Sequence, residues 1–262
     1  MLSKYLQTDL ERITRTLGTT RASLWPFWEF DGTRVVGYTA GTDLTSAETA
    51  GAAEALEDDF SPMRLPCGLY AYWFHPTGDH HLAGADHANY SHGDGTVDSA
   101  FSVGAWVWPV DLAAARAIIT KYDSAGGAEE WSLRLNSSGI PQLELHDADA
   151  SASEIATAST ALQLYRPQFV VATYDGGETA PVIRIYVDAI DMNPTGASTE
   201  SGSYVAMENT ATPLLIGCSG VTATPTEEWH GRIALPFVTG KTLTETEVNI
   251  LYTTTRPMVL GK

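Results

Sequence analysis

The chain has 262 residues, 44% of them hydrophobic, and carries 32 acidic against 15 basic side chains, a formal charge of −17. That length and apolar content suffice for one large core. No apolar run reaches the roughly 18 to 20 residues of a membrane helix, and the acidity opposes general binding to phosphate backbones. Lysine occurs only as Lys4, Lys121, Lys241 and Lys262, so the surface is that of a salt-adapted protein or of an ordinary acidic one.

The first predicted element is a helix. Leu2, Leu6, Leu10, Ile13 and Leu17 recur at helical spacing, Lys4, Arg12 and Arg15 lie among them, and Gly18 stands at the C-cap position. A short amphipathic helix is marginal in water, so its stripe must be covered. Either it packs on the chain's own body, or it binds a partner subunit or a copy of itself. Residues 1–20 are accordingly read as an attachment or oligomerisation segment and 21–258 as the main domain. The opening residues carry no apolar signal core, which predicts synthesis without Sec export.

A strand is expected over residues 24–31, then a short surface helix or excursion over 45–59, which Pro62 and Pro66 end. Residues 68–74 read as another strand. Residues 76–98 read as a long polar loop. From His75 to Asp94 this region holds five of the seven histidines together with Asp79, Asp86 and Asp94. Imidazole with carboxylate suits zinc or another transition metal, and His80, His81, Asp86 and His87 are the candidate ligands. Their spacing fits no standard site, and adjacent His80 and His81 would face opposite sides of a strand. The alternative is a solvated, hydrogen-bonded loop.

From Phe101 onward short strands dominate. In Phe101-Ser-Val-Gly-Ala-Trp-Val-Trp-Pro109, Phe101, Val103, Ala105 and Val107 share one face and Trp106 and Trp108 the other. Two apolar faces predict a strand covered on both sides. Trp131, Leu133 and Leu135 alternate up to Asn136-Ser-Ser-Gly139, and Leu143 and Leu145 alternate after it, a hairpin with Gly at the strained position and Pro141 at a strand start. The Ala/Ser/Thr-rich stretch 148–161 reads as a connecting loop whose tail can pair as an edge strand. Strands follow over residues 168–174, 181–188, 213–217 and 232–238. Cys67 and Cys218 are expected as buried free thiols rather than a disulfide, since nothing marks a secreted framework. Short strands between turn signals predict an all-β antiparallel sandwich with a short N-terminal helix.

The order and spacing of Phe101-Ser-Val-Gly-Ala-Trp-Val-Trp-Pro109, Phe169-Val-Val-Ala-Thr-Tyr-Asp-Gly176, Ile183-Arg-Ile-Tyr-Val-Asp188, Pro213-Leu-Leu-Ile-Gly217 and the stretch from Trp229 to Tyr252 resemble the laminin-G-like, concanavalin-A-like lectin and glucanase superfamily. The resemblance spans roughly residues 22 to 255 and implies a jelly-roll β-sandwich. Asp188-Ala189 stands where the family has Asp-Gly, which predicts a longer turn, and Phe169 stands where it has Trp.

The resemblance also implies roles. The glucanase branch carries Glu-x-Asp-x-Glu on one strand face, a retaining pair needing carboxyls about 5 to 5.5 Å apart. Here Glu144-Leu-His-Asp-Ala148 offers Glu144 and His146 on that face and no second acid, so no enzyme is expected. Sugar stacking could use Trp25, Trp28, Trp73, Trp131 or Trp229, although core positions are the simpler reading. A calcium ion bound by carboxylates and carbonyls is allowed, with no ligands identified.

A lectin-like module without an export signal suggests a virion accessory protein on a capsid exterior or tail, made in the host cytoplasm. Its expected partners are other virion proteins, copies of itself and host surface glycans, with no nucleic acid. The alternatives are a lectin module of a cellular protein and a glycan hydrolase.

Overall fold

A computed structural model describes residues 4–18, 21–27, 34–35, 44–47, 63–76, 80–177, 181–221 and 224–261. Helix α1 (Lys4–Leu17) is followed by β1 (Ser23–Leu24), β2 (Arg34–Val35), β3 (Leu44–Ala47), β4 (Met63–Arg64), β5 (Tyr70–Phe74), β6 (His81–Gly84), β7 (Phe101–Pro109), β8 (Arg116–Lys121), β9 (Trp131–Leu135) and β10 (Pro141–Asp147). Then come β11 (Ala152–Thr157), β12 (Gln168–Tyr174), β13 (Ile183–Val187), β14 (Ile190–Asp191), β15 (Thr199–Ser201), β16 (Leu214–Ile216), β17 (Ser219–Val221), β18 (Thr224–Thr226), β19 (Gly231–Thr239) and helix α2 (Glu245–Leu260). Sheet A has the order β14-β13-β12-β7-β19-β5-β4, with β1 also paired to β19. Sheet B runs β15-β11-β10-β9-β8-β16-β6-β3-β2, and β17 and β18 form a separate hairpin. All pairings are antiparallel, giving the expected jelly-roll sandwich.

The layering follows from which side chains each strand offers. On β7, Phe101, Val103, Ala105 and Val107 enter the core between the sheets. Trp106 and Trp108 go to the far side of sheet A. Strand β12 repeats this, with Val170, Ala172 and Tyr174 inward and Phe169 and Val171 outward. On β19 a bulge between Ala234 and Phe237, where Leu235 has φ 49°, resets the alternation so that Ile233 and Val238 still point inward.

Helices α1 and α2 cover the outer face of sheet A. Leu6, Leu10, Ile13 and Leu17 share one buried cluster with Trp106, Phe169 and Phe237, and with Val248, Leu251, Met258 and Val259 of α2. Trp106 Nε1 donates to Thr255 Oγ1 at 2.8 Å, and its ring stacks on Tyr252. The apolar stripe of α1 is therefore buried within the chain, against α2 and the outer face of sheet A, because that face is apolar and needs a lid. Leu2 lies outside the described residues.

Four local expectations are corrected. Residues 245–260 form a second helix where only an N-terminal one was expected, started by a capping box in which Glu247 N donates to Thr244 Oγ1 and Thr244 N donates to Glu247 Oε2. Within the region read as loop, His81–Gly84 forms β6, paired with β3 and β16. Ala152–Thr157 is an interior strand between β10 and β15. The turn at Asp188-Ala189 is short, because both residues take left-handed φ of 53° and 64° and Val187 pairs directly with Ile190. The Asp188 carboxylate supports it by accepting from Phe169 N at 2.9 Å. Of the predicted excursion, Thr45, Ser46 and Ala47 belong to β3 and residues 48–59 lie outside the described residues.

One end of the sandwich is held by buried polar groups. Lys121 Nζ donates to Glu130 Oε1 at 2.6 Å and to the Thr210 carbonyl at 2.8 Å, and it pairs with Asp86 Oδ1 at 3.1 Å. Asp98 accepts from the Tyr174 and Tyr204 hydroxyls at 2.7 and 2.6 Å and from Met207 N at 2.8 Å. Nearby, His92 stacks flat on Phe101 with centroids 4.4 Å apart, and neither ring nitrogen has a hydrogen-bond partner. Burial, then the charges of Arg21 and Lys121, push its pKa down to about 3.

That shift makes the fold acid-sensitive. The folded value lies below the unfolded one of about 6.5, so between pH 6.5 and 3 the unfolded chain binds more protons and gains on the folded one. Stability should fall as pH drops through that window, with a slope of up to about 1.4 kcal/mol per pH unit from this residue. Urea midpoints of wild type and His92→Gln measured from pH 7 to 4 should diverge in slope. Parallel profiles would contradict the assignment.

Candidate functional site

Among the described residues, no helix covers the outer face of sheet B. Its side chains alternate with the core set: Ser132 and Arg134 lie between Trp131, Leu133 and Leu135 on β9, and Gln142, Glu144 and His146 alternate with Leu143 and Leu145 on β10. The register places Glu144 beside Ser132, and Ser132 beside Thr120 of β8. Tyr122 follows β8, with its ring against His146 at 4.7 Å, edge to face.

Arg134 organises this patch. One Nη hydrogen-bonds Glu144 Oε1, and the other donates to Glu227 Oε1 at 2.7 Å. Glu227 follows the β17–β18 hairpin and has φ 51°, a conformation costing about 1–2 kcal/mol in a residue with a side chain. Its carbonyl accepts from Ala117 N at 2.7 Å, which holds it there. Ser219 Oγ donates to Glu227 Oε2 at 3.4 Å. Burial, then the charges of Glu129, Glu144 and Glu227, raise the Tyr122 hydroxyl above its usual range, so it stays protonated.

Three polar atoms in this patch are buried without a hydrogen-bond partner: Ser132 Oγ, Arg134 Nε and His146 Nε2. The last lies 3.4 Å from Glu144 Oε2, close enough for an ion pair but without hydrogen-bond geometry. Ser132 itself is only 2% exposed. Leaving such groups unmatched costs about 1–3 kcal/mol each, and all three belong to the face of β9 and β10 that points away from the core between the sheets. Sequence reasoning reached Glu144 and His146 through period two. It missed Arg134 and Glu227.

The predicted metal set does not converge. Among the described residues no three His, Cys, Asp or Glu side chains form a metal-binding group. His80 and His81 are buried in succession at the start of β6, and Asp86 faces the Lys121 ammonium. His87 Nδ1 accepts from Asn89 N at 3.1 Å.

The tryptophans separate clearly. Trp25, Trp131 and Trp229 are fully buried, and Trp28 lies outside the described residues. Trp73 is half-buried. The Arg232 guanidinium lies 5.2 Å over its ring, and β19 pairs Arg232 with both Trp73 and Trp108. This second aromatic patch on sheet A has its cation already seated on the ring. The two thiols are free, Cys67 half-buried and Cys218 buried.

Similarity to known structures follows the sandwich. The chain resembles Trypanosoma rangeli sialidase with a TM-score of 0.56 and 12% identity, over 91% of this chain and 33% of that one. It resembles a structure titled for the cell entry of botulinum neurotoxin type C through two ganglioside molecules, with TM-score 0.58 and 14% identity, over 92% and 52%. It also resembles domain 4 of AbnA, a GH43 extracellular arabinanase from Geobacillus stearothermophilus in complex with arabinotriose, with TM-score 0.56 and 15% identity, over 88% and 98%. The chain spans about a third of the sialidase and half of the toxin structure, and at these identities the likeness is one of fold. No curated protein matches the chain. The family model for the concanavalin A-like lectin/glucanases superfamily, in its laminin-G form, matches residues 82–249, and the chain belongs to that family.

Proposed function

We propose that the chain is a non-enzymatic, lectin-like module that binds a glycan on the open face of sheet B. The observation that carries this reading is the gathering of Ser132 Oγ, Arg134 Nε and His146 Nε2, buried and unmatched, beside Glu144 and the Tyr122 ring. Sugars present hydroxyls and apolar ring faces, which such donors and an aromatic ring complement. The structural likeness to an arabinotriose-bound domain supports it. Against hydrolysis stands the chemistry of the acids. Glycoside cleavage needs one carboxyl to give up a proton and another to act as base or nucleophile, and here both Glu144 and Glu227 are committed to one guanidinium.

The test is a glycan array followed by calorimetry on the best ligand. Arg134→Lys keeps a charge but removes Nε, the one nitrogen left for a ligand, and the loss of a charge-assisted hydrogen bond worth about 1.5–3 kcal/mol should weaken binding roughly 10- to 100-fold. Trp73→Ala should leave affinity unchanged. A reversal of those two results would place the site on sheet A, and an array with no bound glycan would remove the reading altogether.

For its setting we propose the surface of a virus particle, with virion proteins and copies of itself as neighbours. Two free thiols suit folding in a reducing host cytoplasm, and the charge of −17 keeps such a module soluble and away from packaged nucleic acid. Mass spectrometry of purified particles from the source virus tests this, and absence of the chain from them would refute it.

A further inference from the structure

Resting on the glycan-binding reading, we propose that the sheet B site selects uncharged oligosaccharides and rejects those bearing a carboxylate, such as sialic acid-terminated chains. An arginine captures a sugar carboxylate by offering two parallel N–H donors in a fork. At Arg134 both Nη groups are already engaged, one by Glu144 and the other by Glu227, so no fork is free. An incoming carboxylate would instead meet two carboxylates facing the same guanidinium. Glu129 adds a third negative charge beside Tyr122. Arg116, at the start of β8, offers no replacement, because it is paired with Asp111 and donates to the Glu228 carbonyl at 2.7 Å.

The groups left for a ligand suit an uncharged sugar. Ser132 Oγ can donate or accept, Arg134 Nε donates, and His146 Nε2 does one or the other according to its tautomer. Each complements a hydroxyl. The Tyr122 ring, held against His146, adds an apolar surface with a protonated phenol at its tip. Like charges set against each other across an interface suppress the wrong partner even where its shape fits. Glu227 is therefore a specificity-determining residue, placed by its left-handed backbone to close the fork of Arg134.

The experiment prints neutral oligosaccharides on an array, each beside its sialylated and uronic-acid counterpart, and probes them with the full chain and with Glu227→Gln. Neutral glycans should be bound, with their acidic counterparts at least about tenfold weaker in titrations of each pair. Glu227→Gln, which removes one negative charge and loosens one Nη, should narrow that ratio. Acidic counterparts bound as well as or better than the neutral ones, or a ratio unmoved by Glu227→Gln, would overturn the selectivity while leaving glycan binding intact. An array with no ligand at all would sink the underlying reading and this inference with it.

Discussion

Removing helix α1 should abolish cooperative folding. Leu6, Leu10, Ile13 and Leu17 are 5% exposed or less, and burying such side chains contributes roughly 1.5–3 kcal/mol each. Their sum is comparable to the 5–15 kcal/mol that holds a typical domain together. Their removal would also open the apolar cluster that they share with sheet A and α2. A chain lacking residues 4–18 is expected to bind a hydrophobic dye and to show no sharp melt, whereas Leu10→Ala alone should cost about 2–5 kcal/mol in urea. A truncated chain that melts cooperatively near the wild-type midpoint would show that the helix is an appendage. Loss of assembly on deleting the helix would consequently report unfolding, not a lost anchor.

Breaking the buried pair at the sandwich end should cost less than losing the helix, but more than most single substitutions. Lys121 and Glu130 side chains are fully buried with their charged atoms 2.6 Å apart. Glu130 Oε1 also accepts from Thr210 N at 2.7 Å and Thr210 Oγ1 at 2.8 Å, and Ser91 Oγ donates to it at 3.4 Å. Burial still holds the Glu130 carboxyl above its usual range, the neighbouring ammonium notwithstanding. A carboxyl with a raised folded value binds a proton more readily when folded, so its contribution weakens as pH rises from the unfolded value through the folded one. Lys121→Ala, which strands a buried carboxylate, should lose about 3–5 kcal/mol. Replacing both residues by methionine should recover much of that loss. If the double variant is no more stable than the single one, the network around Thr210 matters more than the pair.

These two predictions rest on features that differed greatly in how well the sequence disclosed them. Strand β7 was legible because Phe101, Val103, Ala105 and Val107 obey period two and Trp106 and Trp108 fill the opposite face. The stripe of α1 was legible as a stripe. Which surface covers it was not, because that depends on the outward residues of β12 and β19, distant in sequence. Helix α2 escaped because its interior is rich in β-branched threonine and holds Pro257 near its end, and only the Thr244–Glu247 box signalled its start. Strand β11, Ala152-Ser-Glu-Ile-Ala-Thr157, escaped because its buried positions are Ala152, Glu154 and Ala156, while Ile155 lies on the other face, so it carries no hydrophobic alternation.

The site shows the same division. Period two put Glu144 and His146 on one face, but the absence of a nearby second acid suggested an isolated polar strand end. Pairing of β9 with β10 brings in Arg134, and a left-handed residue after the β17–β18 hairpin brings in Glu227. Register and a positive φ at a glutamate leave no local trace in a sequence.

The central claim is that the open face of sheet B binds the glycan. The most direct measurement is amide chemical-shift mapping of the labelled chain titrated with the neutral oligosaccharide that binds best. The account predicts saturable shifts centred on Ser132, Arg134, Glu144, His146 and Tyr122, with Trp73, Arg232 and Trp108 unmoved. Shifts centred on Trp73 and Arg232, or scattered without saturation, would contradict it.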